Sequence, residues 1–175
     1  MMELRSSMWA MLMALATWGM TGGTGHAAKD VQTTSGLPVP RYVSLKSDHV
    51  NVRVGPTKDQ DVSWIYTRAG LPVEVTAEFE NWRRVRDSEG SEGWVYHSLL
   101  SGRRTAVVTM KTKGELAALR DSPDQSSAVA ARLQAGVIAQ VKRCTGKWCR
   151  ITGEGFDGWI EQQRLWGVYA DEKVN

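Results

Sequence analysis

The chain of 175 residues spells one pattern twice, and that repetition limits its fold more than any other feature. VNVRVGP (Val50 to Pro56) aligns with AALRDSP (Ala117 to Pro123), with Arg53 on Arg120 and Pro56 on Pro123 at an offset of 67. AGLPVEV (Ala69 to Val75) aligns with AGVIAQV (Ala135 to Val141), and Trp82 with Trp148, at an offset of 66. GWV (Gly93 to Val95) then meets GWI (Gly158 to Ile160), and Leu100 meets Leu165, at an offset of 65. A drift of only two positions across the unit identifies a tandem, residues 41–103 and 104–170.

Each unit reads as a string of short strands. In the first, YVSLK, HVNVRV, VSWIYT, LPVEVTAEF, WRRVRD and EGWVYH alternate apolar and polar residues, with Gly, Pro, Asp, Asn and Ser between them. In the second, GELAALRDSP and SSAVAARLQAG have the Ala and Leu content of short helices. Two copies of one unit share one fold, so the repeat overrules that propensity and strands are expected there too. Five or six short strands in about 60 residues imply a small, strongly bent barrel. The expected fold class is therefore all-β, two tandem five-stranded barrels, with a short C-terminal tail at 171–175.

The run N-x-R-x-G-P (Asn51 to Pro56), A-G-x-x-V, a tryptophan followed by x-x-V, G-W-V and a leucine five residues beyond resembles the bacterial Src-homology-3 domains. The second copy resembles them in weaker form, with Ala118 in place of Asn51 and S-P in place of G-P. The resemblance implies a five-stranded barrel used for binding, commonly of cell-wall peptidoglycan or of another protein, and it does not imply catalysis. The aromatic run that lines the polyproline groove of the eukaryotic relatives is missing. The position of their groove proline holds Tyr96 in one copy and Glu161 in the other, so polyproline recognition is not expected.

Met8 to Met20 carries no charge and is followed by TGGTGHA, the layout of a secretory signal peptide cut after Ala27. Thirteen apolar residues are too few to span a bilayer, which takes about 20. The expected product is periplasmic or secreted, without stable membrane insertion after cleavage, and begins with a flexible linker over residues 28–40. Export predicts an oxidising surrounding in which the two cysteines of CTGKWC, Cys144 and Cys149, persist as a disulfide. A two-residue turn at Gly146-Lys147 sets the cysteines opposite each other but puts Lys142 against Ile151. Matching Val141 with Ile151 restores the apolar face and shifts the cysteines out of register. An odd-length loop or a bulge is expected, with the disulfide closing an irregular tip rather than forming a simple cross-strand rung. Repeat one has Glu78 and Arg83 at the equivalent places.

Strand parity proposes the binding residues, since residues two apart share a face. It points Glu74 and Thr76 outward, and Trp82, Arg84, Trp94 and Tyr96 outward in the first copy. Trp148, Arg150 and Trp159 point outward in the second. Arg53, beside its G-P turn, suits bonding to local carbonyls. The first unit balances nine basic with nine acidic residues, whereas the second has ten basic and six acidic, with Lys142, Arg143, Lys147 and Arg150 around the cysteines. Such a face suits anionic polymers of a cell envelope, and export argues against nucleic acid.

Catalysis lacks its parts. His49 and His97 stand in no recognisable setting as a thiol's base, no G-x-S-x-G or H-E-x-x-H occurs, and Glu78, Glu80 and Glu89 fall in hairpin tips where carboxylates are normally solvated. Zinc at the cysteines would need two more ligands, and no cofactor is implied. The reading is a non-catalytic exported binding module for peptidoglycan or another envelope polymer. The alternative is a periplasmic protein-interaction adaptor. A third role, packing of the barrels on each other, requires Trp82 and Trp148 to be shielded.

Overall fold

The structure, a computed structural model, describes residues 33–175. The expected signal peptide, residues 1–27, and residues 28–32 of the expected linker lie outside the described residues. Strands β1 (Arg41–Leu45), β2 (Val50–Arg53), β3 (Val62–Tyr66), β4 (Pro72–Phe79), β5 (Trp82–Arg86), β6 (Glu92–Tyr96) and β7 (Leu100–Ser101) form one antiparallel sheet in the order β3-β2-β6-β5-β4-β1-β7. Strands β8 (Thr105–Val108), β9 (Ala117–Arg120), β10 (Val129–Leu133), β11 (Ile138–Thr145), β12 (Trp148–Gly153), β13 (Phe156–Glu161) and β14 (Leu165–Trp166) repeat that order as β10-β9-β13-β12-β11-β8-β14. A last strand, β15 (Lys173–Val174), pairs with β11. The Ala-rich segments of the second unit are strands β9 and β10, as the repeat requires.

Alternation builds each core. Val50, Val52, Val73, Val75, Val85 and Val95 are fully enclosed in the first barrel. Leu119, Ile151 and Ile160 are their counterparts in the second. Full burial of such side chains stabilises by about 1.5–3 kcal/mol each. The glycine of the G-W motif is set by close approach of another strand. A Cβ at Gly93 would fall on Val52 and Trp64, and one at Gly158 would sit 2.8 Å from the Arg120 carbonyl oxygen and Leu119 Cγ.

The β11–β12 hairpin resolves its two competing registers. Val141 faces Ile151 and Cys144 faces Cys149, and a bulge between Val141 and Arg143 absorbs Lys142. The disulfide is present, with a Cα–Cα distance of 4.1 Å. The bulge expectation holds, but the bridge is itself a cross-strand rung beside a two-residue turn, because the irregularity lies below the cysteines and not at the tip. The first barrel carries the same bulge between Val75 and Ala77. Its Glu78 faces Arg83, and the pair closes as an ion pair at 3.1 Å.

Neither chain end of the described region hangs free. Ser35 donates from its backbone N and its Oγ to the Glu78 carboxylate at 2.8 and 2.7 Å, and Val39 packs against the first core. Over residues 33–40 the expected tether is therefore docked on the barrel. Glu78 is correspondingly enclosed, its side chain 1% exposed, instead of solvated as hairpin tips suggest. At the other end β15 joins the sheet beside Cys144 and Thr145.

The barrels touch through β14 and the segment after it. Tyr42 of the first barrel meets Trp166 edge-on at 5.4 Å and Tyr169 at 4.6 Å. Tyr169 donates its hydroxyl to Glu74 at 3.0 Å, and Arg86 Nε reaches the same carboxylate at 3.0 Å. Glu74 thus lies on the outer face, as parity predicts, yet is buried because the second barrel covers it. Thr105 Oγ1 donates to the Gly70 carbonyl at 2.8 Å, and Arg68 to the Gly136 carbonyl at 2.8 Å.

Candidate functional site

The outer faces of the two barrels differ at one rung. In the first, Trp82 faces Tyr96 across β5 and β6, and in the second Trp148 faces Glu161 across β12 and β13. Tyr96 covers Trp82 edge-on at 5.4 Å, and Lys58 Nζ lies 6.0 Å from the Tyr96 ring centre. Trp82 is consequently buried, at 7% exposure. This corrects the expectation that parity leaves it open: its face is the outer one, but the cross-strand aromatic closes it. Glu161 gives Trp148 no such cover.

A cavity of about 530 Å³ opens beside Trp148. One wall is the hairpin tip from Gly146 to Trp148, a second is the 3₁₀ turn Gln162–Arg164 with Glu161, and a third is the C-terminal segment of Val168, Ala170 and Asp171. Gln125, from the loop between β9 and β10, completes the rim. The tip is tied down, since Gln162 N donates to the Lys147 carbonyl at 2.8 Å. The third wall is fixed by Gln162 Nε2, which donates to the Tyr169 and Glu172 carbonyls at 2.6 and 3.1 Å. Arg104 holds the Glu172 carboxylate at 2.7 Å, so that carboxyl lies below its usual range although burial opposes this. The cavity thus combines one aromatic face with amides and carboxylates, the lining of a binding cleft.

The other expected site residues form a separate row. Arg53, Trp94 and Arg84 face one another across β2, β6 and β5, and Arg120, Trp159 and Arg150 do so across β9, β13 and β12. Arg84 pairs with Glu92 at 2.6 Å and Arg150 with Asp157 at 2.8 Å. Arg53 and Arg120 bond the Gln60 and Ser127 carbonyls of their own loops, which for Arg53 is the local role expected beside its G-P turn. Trp148 is thus the one expected residue that lines the large cavity, while Arg84, Trp94, Arg150 and Trp159 do not. Sequence reasoning missed Gln125, Gln162 and the Val168–Asp171 wall. The signal for the wall was the aromatic run LWGVY (Leu165 to Tyr169), which has no counterpart after Leu100.

Among the described residues, no group of His, Cys, Asp and Glu has the arrangement of a metal site, and no helix is long and apolar enough to cross a membrane.

The sequence model of the bacterial SH3 domain family matches residues 46–102 and 113–167, once in each barrel. No curated protein matches the chain. Among solved structures, NlpC2 from Trichomonas vaginalis is 14% identical with a TM-score of 0.32, over 73% of this chain and 48% of that one. NlpC1 from Trichomonas vaginalis is 14% identical with a TM-score of 0.32, over 76% and 48%. An NlpC/P60 family protein from Bacillus cereus ATCC 10987 is 11% identical with a TM-score of 0.30, over 77% and 58%. This chain spans about half the length of each of them.

Proposed function

Because the chain belongs to the bacterial SH3 domain family, a family of binding modules, we propose that it is an exported, non-catalytic module that recognises peptidoglycan or another cell-envelope polymer through the Trp148 cleft. The observation that carries this reading is the cavity of about 530 Å³ beside a tryptophan whose cross-strand aromatic has been replaced by Glu161. An aromatic face beside side-chain amides and carboxylates suits a ligand made of sugar rings and peptide bonds. The N-terminal pattern of Met8 to Ala27 supports delivery to the periplasm or outside the cell.

Pull-down on purified cell-wall sacculi tests the reading. The protein should be enriched over a charge-matched control, and Trp148→Ala should weaken binding about thirtyfold, as for a buried aromatic anchor. Trp82→Ala should weaken it much less. No enrichment over the control sinks the proposal. A recurrent protein recovered by crosslinking in cells, without polymer, would support the adaptor reading instead.

A further inference from the structure

The outer face of the second barrel extends its row by one cation that the first barrel lacks. Arg143 faces Arg150, Arg150 faces Trp159, and Trp159 faces Arg120. Neighbouring strands lie about 4.8 Å apart, so the row spans roughly 14 Å. In the first barrel the place of Arg143 is taken by Ala77, opposite Arg84. The bulge adds to the difference, because it leaves Lys142 unpaired in the ladder and exposed beside Arg143.

Like charges directly opposed on adjacent strands push the strands apart. Arg150 is offset by Asp157, but Arg143 has no ion pair or side-chain hydrogen bond among the described residues. The rung next to this pair is the disulfide Cys144–Cys149. The first barrel has no opposed arginines there and closes the same rung with the Glu78–Arg83 ion pair. The covalent link therefore sits where repulsion would otherwise open the hairpin.

We infer that the disulfide holds Arg143 and Arg150 side by side as a clamp for a polyanionic polymer, with Lys142 adding charge and Trp159 a flat apolar surface. Two guanidinium groups in adjacent positions match phosphate or carboxylate groups along one chain, each held by paired N–H donors. None of these four residues lines the Trp148 cavity, so the inference stands or falls separately from the cleft.

Titration of the purified protein with long-chain inorganic polyphosphate over a range of salt concentrations tests it. Affinity should fall steeply with salt. Arg143→Ala should weaken binding about tenfold and flatten the log–log salt slope by about one, while Arg143→Lys should restore most of the slope. Cys144→Ala/Cys149→Ala should weaken binding severalfold at a temperature where circular dichroism shows a folded chain, and Trp148→Ala should leave it unchanged. Salt-insensitive or absent binding by the wild type, or equal affinity in Arg143→Ala, overturns the inference. Binding confined to phosphatidylglycerol vesicles also overturns it, since the row would then face a membrane. Loss of sacculus binding in Trp148→Ala with intact polyphosphate binding separates the two sites.

Discussion

Glu78 and Cys144 occupy the same rung of the same hairpin in two copies of one fold, and each has a partner of its own kind. The Glu78 carboxylate accepts from Ser35 N and Oγ and from Arg41 at 2.7 Å, and pairs with Arg83 at 3.1 Å. Burial by itself would raise its pKa, but these donors and charges outweigh it and hold the carboxyl below its ordinary value of 4.5. A depressed folded pKa gives stability that is present above 4.5 and lost as pH falls below it. Glu78→Gln should cost about 3 kcal/mol at neutral pH, because it leaves Arg83 enclosed without its charge partner. It should also flatten the acid side of the stability curve. Urea denaturation at pH 7 and pH 3.5 checks both, and an unchanged difference between the two pH values would remove Glu78 from the acid response. None of this was legible locally: the hairpin tip reads as solvated, and its partners Ser35 and Arg41 lie 43 and 37 residues away.

At the scale of the element, the irregularity of the β11–β12 hairpin was legible but its place was not: two apolar registers that cannot coexist in a regular ladder force an extra residue into one strand, and that residue lies below the cysteines rather than at the tip. Lys142 is that residue. Strand identity in β9 and β10 was legible for a related reason, since the repeat carries long-range information that local propensity lacks. The state of Trp82 was not legible, because parity gives a side chain's face and says nothing of what covers it. The disulfide closes a short loop, so the chain-entropy argument gives it about 2 kcal/mol. Cys144→Ala/Cys149→Ala should lower the unfolding free energy of the second barrel by that amount. Tryptophan fluorescence of a Trp64→Phe/Trp82→Phe/Trp94→Phe background would follow it in denaturant. A loss beyond about 4 kcal/mol would mean that the bridge also restrains the Arg143–Arg150 repulsion more strongly than chain entropy allows for.

For the whole molecule, the informative residues are those outside the repeated unit. Trp166 ends β14 where the first copy has Ser101 in β7, and Tyr169 lies beyond that strand, so alignment of the copies passes over both aromatics. They nonetheless join the barrels through Tyr42 and Glu74 and leave Trp148 open, which separates packing between barrels from binding. Enclosure, with the Glu74 charge nearby, pushes the Tyr42 hydroxyl up to about 12, as a neutral phenol at a closed contact requires. Gly167 lets this arm pass: a Cβ there would strike the Thr105 carbonyl and lie 3.1 Å from Pro72 Cβ of the first barrel. The same arm, through Val168 to Asp171, forms a wall of the cavity. Barrel coupling and cleft shape therefore depend on one segment. Tyr169→Phe, which removes one donor from a buried carboxylate, should cost about 1–3 kcal/mol. Trp166→Ala/Tyr169→Ala should split the calorimetric unfolding of the wild type, expected as one transition, into two. If the double variant still unfolds in a single transition at the wild-type temperature, the arm does not couple the barrels. If it splits them and sacculus binding also falls with Trp148 intact, the arm shapes the cleft as well as joining the domains.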